Sequence, residues 1–320
     1  MAKDGNVTGT YAGNRTYTGQ CTFTQGVSGF ANGGDIWYVD SSLTASDDGK
    51  TWDHAFITIA EAVTAASAYD TILIKGTDAQ DSSSDPTSDY TEEVTIPATK
   101  MGLRIIGCGN SPEGVLWENE TAETVILTIN AKDCLVANIR FRPNGATSAN
   151  AIFLAKNEAL TANASGAIIR NCIFRSTTET ALAGIETEGA NDVLVEDCVF
   201  TSVATGILQD SSPNSVTYRM RIRNNLFDDK CTNGIVIDGR SCDIRDNSLA
   251  SDLTVAINTY SVGSAGSKNI VRGHSFAGAE YETQCVGSTS DLWFGNISLD
   301  VGSSAVTAAG GTDLKIYPQT

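Results

Sequence analysis

Apolar and polar positions in this chain recur as a phrase rather than as one helix or strand period. The phrase is found seven times: LVANIRF (135–141), IIRNCIF (168–174), LVEDCVF (194–200), RIRNNLF (221–227), DIRDNSL (243–249), IVRGHSF (270–276) and LWFGNISL (292–299). Its last residues, Phe141, Phe174, Phe200, Phe227, Leu249, Phe276 and Leu299, step by 33, 26, 27, 22, 27 and 23. Most of these steps are too short for helical-pair repeats of about 34 residues, and the LxxLxL frame of leucine-rich repeats is missing. Short β-branched runs broken by Gly, Asn and Asp instead fit one coil of a β-solenoid per phrase.

Stacked coils lie about 4.8 Å apart, so matching positions form columns. The Phe/Leu series is expected to fill the lumen. Two residues earlier lie Cys172, Cys198, Asn225, Asn247 and His274. Its members are small or can hydrogen-bond up and down the stack, and the column is expected to occupy coil corners, since Asn tolerates the left-handed turn a corner needs. A second strand follows each phrase: AIFLAK (151–156), AGIETEG (183–189), TGILQD (205–210), NGIVIDG (233–239), VAINTY (255–260), QCVGS (284–288) and SAVTAA (304–309). Gly before Ile reads as the turn into that strand. Crossovers of about twenty residues between like strands imply a parallel sheet wound right-handedly. The fold class is therefore all-β: a right-handed parallel β-helix of about ten coils with an N-terminal capping helix. The helix is predicted from Phe56, Ile59, Ala62, Val63 and Ala66, whose spacing marks one apolar face. Residues 1–35 read as an attachment arm, 36–70 as cap strand and helix, 71–300 as β-helix and 301–320 as a terminal coil and tail.

WYVDSS, DDGKTWDHAFITIAEAV, DTILIKGT, YTEEVTIP and GLRIIGCGN together resemble the opening of right-handed parallel β-helix proteins of the pectin lyase-like superfamily. The chain departs from that pattern by inserting an acidic stretch over 78–89. Pectin methylesterases have a QDTL-type segment that is missing here. The RxPxxR stretch of pectate lyases is only grazed by FRPNG (141–145). The resemblance implies a polysaccharide-related surface on an outer face or, in phage proteins, a trimeric virion part.

Charge narrows the partners. With 21 Lys and Arg against 38 Asp and Glu, the net charge of −17 argues against nucleic acid and anionic membranes. The N-terminal stretch has no apolar core, so no secretory signal is expected. The eight cysteines have no metal-ligand spacing and read as reduced core fillers.

Placing Ile185, Ile207, Ile235 and Ile257 inward sends Glu186, Leu208, Val236 and Asn258 outward, followed by Glu188, Asp210, Asp238 and Tyr260. Glu188, Asp210 and Asp238 would then stack on consecutive coils. Carboxylates that close repel, so they are candidates for a catalytic pair or for a calcium site. Tyr260 and Asn258 are candidate glycan contacts. His54 at the cap and His274 in a corner are the only histidines, which leaves little for general base chemistry. The leading functional expectation is a structural or adhesive protein on a virion surface (head decoration, fibre or spike), homotrimeric and held to virion or capsid proteins through residues 1–35. It would contact cell-surface polysaccharide. The alternatives are a polysaccharide lyase or glycoside hydrolase, and a carbohydrate-binding module without turnover.

Overall fold

The computed structural model describes residues 34–76, 89–109, 111–145, 148–156, 161–176, 181–209, 216–228, 230–250, 253–259, 268–277, 285–287, 290–298 and 312–313. The chain divides into Met1–Gly33, which lies outside the described residues together with most of the expected attachment arm, and Gly34–Thr320. The second unit is a stack of coils whose strands form three parallel sheets of 11, 9 and 8 described strands. Each coil visits them in the same order. One coil runs Ile168–Arg170, Ile173–Arg175, Ala183–Thr187, and the next runs Leu194–Glu196, Val199–Thr201, Thr205–Gln209. These are called the first, second and third sheets below.

The repeated phrase is the first-sheet strand, a tight corner and the second-sheet strand. Its inward residues form two dry columns. On the first sheet, Ile72, Ile105, Val136, Ile169, Val195, Ile222, Ile244, Val271 and Trp293 follow one another in register, all buried. On the second, Tyr90 and Trp117 are followed by Phe141, Phe174, Phe200, Phe227, Leu249 and Phe276. Ring centroids of Phe174, Phe200 and Phe227 are 4.8 Å apart with planes within 8°, the coil spacing itself. Burying each of these large side chains contributes about 1.5–3 kcal/mol. The next partner of Phe276 is Ser298, so the expected Leu299 is one residue out of register and lies outside the described residues.

The corner column also shifts by one. The left-handed residues are Asn138, Asn171, Asp197, Asn224, Asp246, Gly273 and Gly295, the position before the one expected. Cys172, Cys198, Asn225, Asn247 and His274 instead point inward and are at most 2% exposed. Asn225 Oδ1 accepts from the Cys198 N–H at 2.9 Å, and Asn247 Oδ1 from the Asn225 N–H at 2.9 Å. His274 Nδ1 accepts from the Asn247 N–H at 3.1 Å. Nε2 must therefore carry the proton, which it donates to the Ile244 carbonyl at 3.1 Å. The imidazole thus occupies an asparagine's place with the same acceptor and donor. Burial pushes its pKa down to about 4.

The glycines before isoleucine lie within or beside the third-sheet strands and do more than turn the chain. A Cβ on Gly184 would sit 2.7 Å from Phe200, and one on Gly206 would sit 2.5 Å from Phe227. They make room for the ring stack.

The helix spans Ile59–Ala65, shorter than its apolar pattern. Thr58 and Glu61 form a capping box, and the Glu92 carboxylate also accepts from the Ile59 and Ala60 amides. Lys100 Nζ donates to the last carbonyls, of Thr64 and Ala66. Ile59, Ala62 and Val63 face the coil strands 36–39, 71–74 and 94–96. Phe56 pairs its backbone with Val39 and packs on the core from outside the helix.

Candidate functional site

The third-sheet register is as read from the sequence. Ile185, Ile207, Ile235 and Ile257 are partners along the inner column, and Glu186, Leu208, Val236 and Asn258 along the outer one. Beyond that point the expected carboxylate column is not an exposed stripe. Glu188 is half-buried and accepts from the Lys156 N–H at 3.3 Å. Asp238 is 2% exposed, a correction to its outward placement. Its N–H donates to Gln209 Oε1 at 3.0 Å, and its carbonyl accepts from the Thr217 N–H. The physical reason is local. The strand ends at Val236, and the chain bends so that Gly239–Arg240 pairs with Thr217–Tyr218. Strand alternation no longer sets direction there. Asp210 and Tyr260 lie outside the described residues, and Asn258 is half-buried on the outer column. Among the described residues no three His, Cys, Asp or Glu side chains gather as a metal ion would require.

What the structure does assemble is a ridge along the corner between the third and first sheets. Lys156 Nζ donates to the Gly189 carbonyl at 2.8 Å and reaches Asn191 Oδ1 at 3.5 Å. Asn191 Oδ1 also accepts from the Tyr218 N–H at 3.1 Å. Arg240 Nη1 donates to Tyr218 Oη at 3.2 Å, with the guanidinium 5.7 Å from the ring centroid. Arg219 closes a two-pronged pair on Asp192, 2.7 Å for each prong. Partial burial lowers the Lys156 pKa, and hydrogen bonding to Arg219 lowers that of Asp192. The ridge thus offers one aromatic ring, two kinds of cation, an amide and a carboxylate along successive coils. This set can stack on a sugar ring and grip its hydroxyl or carboxylate groups. Lys156 ends the repeated segment AIFLAK and Arg240 directly follows NGIVIDG, but Tyr218, Arg219 and Asn191 fall outside the repeated segments. They sit in corner segments whose length varies from coil to coil, where no repeat aligns them.

Elsewhere the expected site residues have structural partners. Arg142 of FRPNG pairs with Glu118 at 2.6 Å, and His54 contacts Asp47 at 2.6 Å. Cys134, Cys172, Cys198, Cys231, Cys242 and Cys285 are buried free thiols, and Cys108 is exposed.

The Right handed beta helix region family matches residues 114–296. Among solved structures, an alginate lyase from Paenibacillus sp. str. FPU-7 aligns with a TM-score of 0.48 at 10% identity, covering 80% of this chain and 92% of that one. A PL6 family alginate lyase aligns at 0.46 and 13%, covering 79% of this chain and 38% of the lyase, so the chain spans well under half its length. The tailspike protein gp49 of Acinetobacter baumannii bacteriophage Fri1, a capsular polysaccharide depolymerase, aligns at 0.42 and 9%, covering 78% and 54%. A search of curated proteins finds no match. With the family match spanning more than half of the sequence and three parallel sheets in continuous register, the chain belongs to the right-handed β-helix family.

Proposed function

We propose that the protein is an adhesive, glycan-binding β-helix displayed on a virion surface, with residues 1–35 as its attachment to virion or capsid proteins and a homotrimer as its assembly. The observation that carries the glycan reading is the Tyr218–Arg240 pair beside Asn191 and Lys156. An aromatic face with a guanidinium at its hydroxyl edge suits a sugar whose apolar face stacks and whose polar groups need donors. The virion reading rests on the sequence: a Gly/Thr-rich opening segment distinct from the repeat.

The test is a glycan array with the full chain. Retained glycans should be lost from Tyr218→Ala and Arg240→Ala, and unchanged binding by both variants overturns the ridge. Cross-linking on intact particles should join residues 1–35 to another virion protein. Recovery of the chain only in the soluble fraction, away from particles, refutes the attachment.

A second reading is a polysaccharide lyase. It is favoured by Tyr218 Oη standing at hydrogen-bond distance from Arg240, because β-elimination needs a base beside a cation that holds the uronate. Appearance of unsaturated uronate absorbance on incubation with acidic glycans would select this reading, and bound but intact polymer would leave the adhesive one.

A further inference from the structure

The first sheet carries a second surface that the ridge does not use. Its outward positions from Ile168 to Arg272 form two columns. One runs Ile168, Leu194, Arg221, Asp243, Ile270, and the other Arg170, Glu196, Arg223, Arg245, Arg272, each residue the strand partner of the next. Five arginines thus face two carboxylates on five consecutive strands, in a chain whose net charge is −17. Glu196 is held by Arg223 at 2.7 Å. Asp243 is shared more loosely, with Arg245 at 3.4 Å and Arg272 at 3.5 Å. Arg170 and Arg221 are exposed and form no ion pair among the described residues. Guanidinium groups repeating at strand spacing, with so few counter-charges, leave donors available for anions.

We infer that this face binds a linear acidic polysaccharide along the stacking direction, its carboxylates taken by Arg170, Arg221, Arg245 and Arg272. A polysaccharide fits better than a nucleic acid for two reasons. Among the described residues none of the outward positions on these five strands is aromatic, and the half-buried Phe294 that follows Arg272 gives one ring at the end of the column, whereas single-strand binding relies on successive platforms. The adjoining corner also presents Asp197 and Asp246, which a closely charged duplex would meet but which can accept from sugar hydroxyls. The aliphatic residues Ile168 and Ile270 give the sugar's C–H faces a surface beside the cations. This face lies on a different sheet from the Tyr218 ridge and does not require it.

The experiment measures binding of the full chain to immobilised polygalacturonate, to its fully methyl-esterified form and to a single-stranded oligonucleotide, at low and at physiological salt. Polygalacturonate should be retained, with affinity falling as salt rises, and the neutral ester should not. Arg170→Glu and Arg221→Glu, both on exposed side chains, should each weaken retention about tenfold. Tyr218→Ala should leave it intact. Equal binding of the ester, tighter binding of the oligonucleotide, or wild-type retention by both charge-reversed variants overturns the inference. Loss of retention in Tyr218→Ala but not in the Arg variants would reassign the acidic glycan to the ridge.

Discussion

The two corners flanking the first sheet differ in a way that separates architecture from function. At the corner into the second sheet, one left-handed residue and one buried ladder residue recur through successive coils without insertion. At the corner from the third sheet, a left-handed residue also precedes the strands from Leu135 to Ile270, in order Asp133, Gly166, Asp192, Arg219, Ser241 and Lys268. There, however, the connecting segments vary in length, and they carry Lys156, Asn191, Tyr218 and Arg240 outward. The first corner is fixed because its side chains close hydrogen bonds from coil to coil inside the lumen, where an unpaired amide would cost about 1–3 kcal/mol. The second is free to vary because its side chains meet solvent. Loops on a stiff scaffold are where binding chemistry accumulates.

That contrast can be broken from the inside first. Phe200→Ala should cost about 3–5 kcal/mol, since the ring is stacked on both sides and a neighbour cannot refill the space. Denaturant unfolding reads the loss, and a cost below about 1 kcal/mol would mean the column is not packed as described.

Acid should act next. His274 is neutral in the folded ladder with its pKa depressed to about 4, whereas an unfolded histidine titrates near 6.5. The unfolded chain therefore takes up the proton first, and stability is lost as pH falls from 6.5 towards 4, by about 3 kcal/mol. His274→Asn keeps an acceptor and a donor in place. It should match the native protein at pH 7 and lose less at pH 4, in thermal melts across that range. An acid limb identical in both proteins would contradict the assigned tautomer.

Overfilling should cost less than emptying. Gly206→Ala drives a methyl against Phe227 and should destabilise by about 1–3 kcal/mol, read again by unfolding. The smallest effect on stability belongs to the variable corner. Tyr218→Ala loses a contact with Arg240 worth about 0.5–1 kcal/mol, while glycan retention on the ridge should disappear. Equal damage to folding and binding would erase the distinction between the two corners.

The lumen was legible because it repeats. Phe174, Phe200 and Phe227 sit at one place in a recurring phrase, and period-two alternation placed Ile185 and Ile207 inward. The hydrogen-bonded column was read at its own residues, but the left-handed position was placed one residue late, since Asn is at home both in a left-handed turn, as at Asn224, and in a buried amide ladder, as at Asn225. Asp238 was misread for a different reason: alternation was extended past Val236, where the strand had stopped.

The sequence by itself therefore determined the coil, its stacking columns and the parallel register, because coil-to-coil repetition puts chemically similar residues one strand spacing apart. Tertiary structure decided what the outside does. The Tyr218–Arg240 ridge joins residues 22 apart through a short strand pairing. The arginine face draws one or two side chains from each of four strands, with Glu196 supplied by the fifth. The ridge follows no period along the chain, since it depends on how far one coil's corner bulges against the next. Arg170, Arg223, Arg245 and Arg272, by contrast, recur at one place of the repeated phrase, and the fold decides only that this place faces outward.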